Sequence, residues 1–256
     1  MIEEEFVKEL LKKKKRADGR KFDEFRKIQI KEAPIEKAEG SALVKLGNTW
    51  VAAGIKLNVG TPFPDTPDQG ILIVNAEFSP IASPEFEPGP PTEDAIELAR
   101  VVDRCLREGK AIDLSKLVLK EGEKVWCVFV DIHILNHDGN LLDAAALASM
   151  LALKNTRMPK LDEEFNVIRG EYEGKLQVEH VPLLVSICKF GNDYLIDPTY
   201  LEEKVIDGKL TFGIREDEKI CAIQKQGKAV FDFDEIEKII DLAILKSKEL
   251  RKFYGN

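Results

Sequence analysis

Residues 124–153 read KVWCVFVDIHILNHDGNLLDAAALASMLAL, and their change of period decides the fold class. From Lys124 to Leu135 the pattern has period two. Trp126, Val128, Val130, Ile132 and Ile134 share one face, and Val125, Cys127, Phe129, Asp131, His133 and Leu135 share the other. Such alternation predicts a long β-strand. A turn at Asp138-Gly139 leads to Asp143, and Ala144 to Leu153 then reads as a helix. That helix is small-sided and apolar nearly all round, which predicts burial in close contact with a sheet. A strand delivering the chain straight into a buried helix points to an α+β protein with sheets packed against helices.

Upstream, Ile28 and Ile30 alternate with polar neighbours, and Ala42–Leu46 and Thr49–Leu57 flank Gly47-Asn48, which predicts a two-residue hairpin. Residues 60–70 hold three prolines and two aspartates and read as a loop; Asp65 and Asp68 there are turn formers rather than paired catalytic carboxylates. Ile71–Phe78 is another strand, and the Pro-rich stretch 80–91 is extended. Thr92 is the expected N-cap of a helix running to Glu108 and ending at Gly109. Its core face is read as Ile96, Ala99, Val102 and Leu106. Arg100, Arg104 and Arg107 form a basic stripe on it. Ion pairing within the helix, Glu97 with Arg100, Asp103 with Arg107 and Arg104 with Glu108, is the plainer account of that stripe.

Near the N-terminus, residues 2–15 read as an amphipathic helix with Ile2, Phe6, Leu10 and Leu11 on one side, followed by the basic run Lys12–Arg16. Cations at a helix C-terminus suit its dipole, so the run needs no nucleic acid to explain it. Downstream, polar residues 162–175 mark a join between two lobes. Strands follow at Leu183–Phe190 and Tyr194–Ile196, then at Leu210–Ile214 and Ile220–Gln224. A last helix runs from Asp234 toward Lys252 with Ile236, Ile240, Ala243 and Leu250 inside. The expected organisation is a lead-in of residues 1–24, a first lobe over 25–160, a linker over 161–180 and a second lobe over 181–256.

Composition narrows the function. The chain has 256 residues, a net charge of −8 and 33% charged residues. It is too acidic for a general nucleic-acid binder, so any RNA contact needs a local basic patch. Abundant Lys and Glu are common in proteins of hot environments. The acidic start without an apolar segment predicts no signal peptide, and no apolar run reaches membrane-spanning length. Cys105, Cys127, Cys188 and Cys221 have no paired spacing, so free thiols in a reducing cytoplasm are expected, with no structural zinc. Asp131, His133, His137 and Asp138 invite a metal or general-base reading, but without a third well-spaced ligand a hydrogen-bonded Asp–His pair and a polar turn account for them.

Several landmarks in order resemble the RNase PH family. Asp18-Gly19-Arg20 is similar to its opening motif, and Gly40-Ser41-Ala42-Leu43-Val44 with Gly47 to its first hairpin. Pro88-Gly89-Pro90 followed by Ile96-Glu97 is similar to the entry of its arginine-bearing helix. Asp138-Gly139 before the alanine-rich helix is similar to its phosphate turn, and Val181-Pro182 to the segment bearing its catalytic Asp. The likeness spans roughly residues 16 to 250. It implies an RNase PH-like fold of two β-α lobes in a ring of three alternating heterodimers that threads single-stranded RNA.

Three departures separate this chain from active members. Asn140-Leu141 stands in place of Thr-Arg in the phosphate turn, Glu93 and Asp94 in place of an arginine pair, and His180 in place of the catalytic Asp. Arg offers phosphate a bidentate fork, and Leu offers nothing. The resemblance therefore implies the non-catalytic subunit of an archaeal exosome, with no catalytic residue, metal or cofactor of its own. Its implied partners are a catalytic RNase PH-like subunit, RNA-binding cap subunits and single-stranded RNA. On this reading Arg100, Arg104 and Arg107 hold RNA along the channel wall. An active phosphate-dependent 3′–5′ exoribonuclease and a purely structural ring scaffold without RNA contact are the alternatives.

Overall fold

The computed structural model describes residues 2–255. In chain order these form α1 (Ile2–Lys12), β1 (Ile28–Glu32), β2 (Gly40–Leu46), β3 (Thr49–Gly60), β4 (Ile71–Phe78), α2 (Glu93–Glu108) and a 3-10 turn at Leu114–Leu117. There follow β5 (Val118–Lys120), β6 (Lys124–Asn136), α3 (Leu141–Lys154), β7 (Arg157–Leu161) and β8 (Val167–Lys175). The second half holds β9 (Leu183–Phe190), β10 (Asp193–Ile196), α4 (Tyr200–Glu203), β11 (Gly208–Ile214), β12 (Ile220–Gly227) and α5 (Phe233–Arg251).

The first sheet has the order β1-β2-β3-β6-β4, with β5 also on β6. All its pairs are antiparallel except β4 with β6. The second sheet, β10-β9-β11-β12, is antiparallel throughout. Between them lies α3, touching β2, β3 and β9. Every residue from Leu142 to Leu153 is buried, and the alanines let both sheets approach the helix axis closely. Leu147, Leu151 and Leu153 are almost wholly removed from water, each worth about 1.5–3 kcal/mol. On its far side the second sheet is covered by α5, so β9 is buried from Leu183 to Cys188. One continuous apolar core runs from Ala42 on β2 to Leu250 on α5 and includes both sheets.

Several expectations need correction. The join expected over 162–175 is itself structured, since β7 and β8 pair antiparallel from Arg157–Lys175 to Leu161–Val167. On α1 the buried residues are Val7 and Leu11, which pack with Cys188 and Leu195 against the second sheet; Ile2 and Phe6 are 89% and 59% exposed. Ile96 is 48% exposed, and α2 buries Ala95, Leu98, Val101 and Cys105 as well as Ala99, Val102 and Leu106. On α5 the stripe turns by one step, so that Ile239 is buried while Ile236 and Ile240 are half-buried. A helix in contact with one layer buries about a third of its circumference, and tertiary contacts decide which third.

Candidate functional site

The turn between β6 and α3 is held from both sides. Asp138 N–H donates to Thr49 Oγ1 at 3.2 Å, and that hydroxyl donates to the Gly139 carbonyl at 2.6 Å. Gly139 has φ +82°, and a Cβ there would stand 2.4 Å from the Pro198 carbonyl, so glycine is required twice over. Asn140 caps α3 from a left-handed backbone, φ +54°, without a side-chain cap. Its side-chain nitrogen instead donates to Asp143 and Asp197, each at 3.0 Å. Its backbone N–H, the donor an anion at this helix end would take, goes to Glu203 Oε1 at 3.2 Å.

Glu203 is also paired with Lys209, at 3.1 Å. Burial works against the Lys209 charge, but Glu203 outweighs it and holds the ammonium above its usual pKa. The nearest arginine to the turn is Arg26, from the lead-in to β1. It grips the buried Asp197 in a fork at 3.0 and 2.7 Å and reaches the Asp138 carbonyl at 2.5 Å. Its charge is already matched. The turn has the shape of an anion cradle, and the Glu203 carboxylate takes the Asn140 N–H within it.

Beside the turn lies a pocket of about 220 Å³ lined by Phe86, Asp94, His137, Leu141, Glu203 and Lys209, with Glu85 and Glu97 also present. Four carboxylates face one ammonium here, an arrangement that repels phosphate. His137 stacks on Phe86 with centroids 5.4 Å apart and meets the edge of Tyr200 at 5.1 Å. Burial pushes its imidazole below the usual pKa despite the carboxylates around it.

Asp94, Asn140 and Leu141 are therefore together, but His180 is not with them. It lies by the C-terminal end of α2, in a pocket with Arg107, Glu108 and Lys110, 2.6 Å from Glu216 and 2.9 Å from Arg215. Asp94 is at the other end of that helix, and a helix of this length places the two about 20 Å apart. In this chain His180 therefore stands apart from the turn, at the opposite end of α2. Pro182 packs where Gly109 ends α2.

The arginines of α2 divide. Arg107 is locked by Asp103 at 2.7 Å and by the Leu72 carbonyl at 2.8 Å. Arg104 touches Gln224 at 3.4 Å, and Gln224 in turn donates to Glu97 at 2.8 Å. Among the described residues Arg100 has no hydrogen bond or ion pair. Arg100 and Arg104 open onto a groove of about 340 Å³ with Glu93, Ile96 and Gln224. The expected pairs of Glu97 with Arg100 and Arg104 with Glu108 are absent among the described residues.

Asp131 and His133 do not pair with each other. Asp131 accepts from Asn75 at 3.2 Å and His133 lies 3.3 Å from Glu77, both across the parallel β4–β6 register. No cluster among the described residues is placed to hold a metal ion. Arg26, Thr49, Asp197, Glu203, Lys209 and Gln224 are site residues that local sequence did not reveal. Each reaches the turn or groove from a separate segment, and none forms a motif with its neighbours.

Comparison with known proteins agrees with this architecture. Domain 1 of the 3′ exoribonuclease family, RNase PH, matches residues 24–159, and domain 2 matches residues 180–245. The exosome complex component Rrp42 of Archaeoglobus fulgidus is 52% identical over 251 residues, covering 98% of this chain and 95% of that protein. A chain of the Archaeoglobus fulgidus exosome with RNA bound to the active site superposes with a TM-score of 0.92 at 51% identity, over 99% of this chain and 98% of that one. A chain of an archaeal exosome core gives 0.88 at 47%, over 100% and 97%.

Proposed function

This chain belongs to the 3′ exoribonuclease (RNase PH) family, and from that premise we propose that it is a catalytically silent ring component of an archaeal exosome. It supports 3′–5′ degradation by a catalytic family partner, holding single-stranded RNA and shaping that partner's active site in a ring of alternating subunits. Cap subunits that bind RNA are its further partners, the cytoplasm its compartment, and it needs no cofactor of its own.

The observation that carries the silent role is the engagement of the anion cradle from within. Phosphorolysis requires inorganic phosphate beside an anionic RNA end, so the site must supply excess positive charge. Here the Asn140 N–H meets Glu203, Lys209 is neutralised by the same carboxylate, and Arg26 is committed to Asp197. The Leu141 side chain adds no donor.

RNA holding is assigned to Arg100 and Arg104. Exposed guanidinium groups bind phosphates without reading bases, which suits a subunit that serves any RNA entering the ring. Arg107, fixed by Asp103, belongs to the helix surface and is removed from this role. The double variant Arg100→Glu/Arg104→Glu, assembled with the catalytic partner, is expected to bind RNA about tenfold or more weakly. The slope of log affinity against log salt should fall by about 0.7 for each lost contact. Filter binding across a salt series measures both, and unchanged affinity and slope would favour a scaffold without RNA contact.

A further inference from the structure

Cys105 and Cys221 take no part in the turn or the groove, yet the fold brings them together from distant segments. Cys105 is fully buried in α2, and Cys221 is half-buried on β12. Where β12 pairs with β11, Gly213 faces Ala222 and Ile214 faces Ile220, which leaves Cys221 as the extra residue of a bulge. Bulges re-aim side chains out of the strand alternation. A Cβ on Gly213 would stand 3.1 Å from both cysteine sulfurs, so the two thiols border one small space that glycine leaves open. The Cys221 thiol donates toward the Cys105 carbonyl at 3.7 Å.

The pair is also chemically unequal. A hydrogen bond from Cys105 holds the Cys221 thiol below the usual pKa, and the positive field of Arg215 acts in the same direction. Cys105 is pushed well up by its bond to Cys221 and by burial. Thiolate character and access together select the sulfur that oxidants reach first, and both favour Cys221.

We propose that Cys221 and Cys105 form a peroxide-sensitive dithiol, in which Cys221 is oxidised by a hydroperoxide and Cys105 resolves it to a disulfide joining β12 to α2. In the first step the Cys221 thiolate attacks the peroxide O–O bond, forming an S–O bond and releasing hydroxide, which takes up a proton. In the second the Cys105 sulfur attacks the sulfenic sulfur, an S–S bond forms, and the oxygen leaves as water with the Cys105 proton. Two thiols lose two electrons and two protons in all, and one hydrogen peroxide becomes two waters. The disulfide ties the helix bearing Arg100 and Arg104 to the strand bearing Gln224.

The test uses the full reduced chain treated with a small excess of hydrogen peroxide, then intact mass and non-reducing peptide mapping. The expected result is loss of two hydrogen masses, a cross-linked peptide pair containing Cys105 and Cys221, and reversal by dithiothreitol. The oxidised chain should also melt a few degrees higher. In Cys105→Ala, dimedone should capture a sulfenic acid at Cys221, while Cys221→Ser should yield neither adduct nor cross-link. Absence of the Cys105–Cys221 peptide in the oxidised wild type overturns the proposal, as does preferential oxidation of Cys127 or Cys188. Wild-type mapping alone decides the matter if Cys105→Ala fails to fold.

Discussion

At Asn140 the chain enters α3 through a left-handed backbone, and Glu203 takes the Asn140 N–H. The side-chain nitrogen bridges Asp143 and Asp197, both buried, and this places two carboxyl groups close together in a low dielectric. Burial pushes the Asp143 carboxyl up to about 7, against the opposing hydrogen bonds of Asn140 and Ser186. The folded state therefore keeps a proton that the unfolded chain releases near the ordinary value of 3.8. Its contribution is fully favourable below about pH 4 and is lost as pH rises toward about 7, by roughly 4 kcal/mol in the limit. Asp143→Asn, which keeps a neutral side chain of the same shape, should flatten this part of the profile. Urea unfolding at about pH 5 and about pH 8 measures it. A variant whose stability still falls between those two values as in wild type contradicts the assignment.

Among the elements, those built on local chemistry are legible in the sequence. The period-two run gave β6, the alanine-rich apolar run gave α3, and Gly47-Asn48 fixed the turn between β2 and β3. Thr92 caps α2 as read, accepting from Ala95 N–H. What could not be read was set by contacts distant in sequence. The β7–β8 hairpin, which lies largely between the two family domains, is polar and lacks a clean period, so its strands carry no local signal. The four-residue α4 is too short for periodicity, although it delivers Glu203 to the turn. His180 stands at the far end of α2 from the turn, a separation that its local proline context does not encode. The cap of α5 offers a test at this scale. Asp232 accepts from Glu235 N–H at 2.8 Å, and the Glu235 carboxylate accepts from Asp232 N–H at 2.9 Å. Asp232→Ala should destabilise the chain by about 1 kcal/mol, and Asp232→Ser by much less. Equal denaturation midpoints for wild type and Asp232→Ala would show that the packing of α5 on β9 alone holds its first turn.

For the whole molecule, two sheets share one core through α3, and the chain has the α+β RNase PH-like fold of its family. The family frame is intact while Glu203 takes the Asn140 N–H at the start of α3, and on the proposed reading fold and activity are separable. On the proposed role, a net charge of −8 suits contact with RNA through one small groove rather than along the whole surface. The most direct test is phosphate-dependent decay of a 3′-labelled RNA, measured with this chain alone, with a catalytic RNase PH-like partner alone, and with the two mixed. The account predicts no decay by this chain alone and decay in the mixture well above that of the partner alone. Robust release of nucleoside diphosphates by the purified chain alone would contradict it, because it would require a working phosphate site where Glu203 meets the Asn140 N–H.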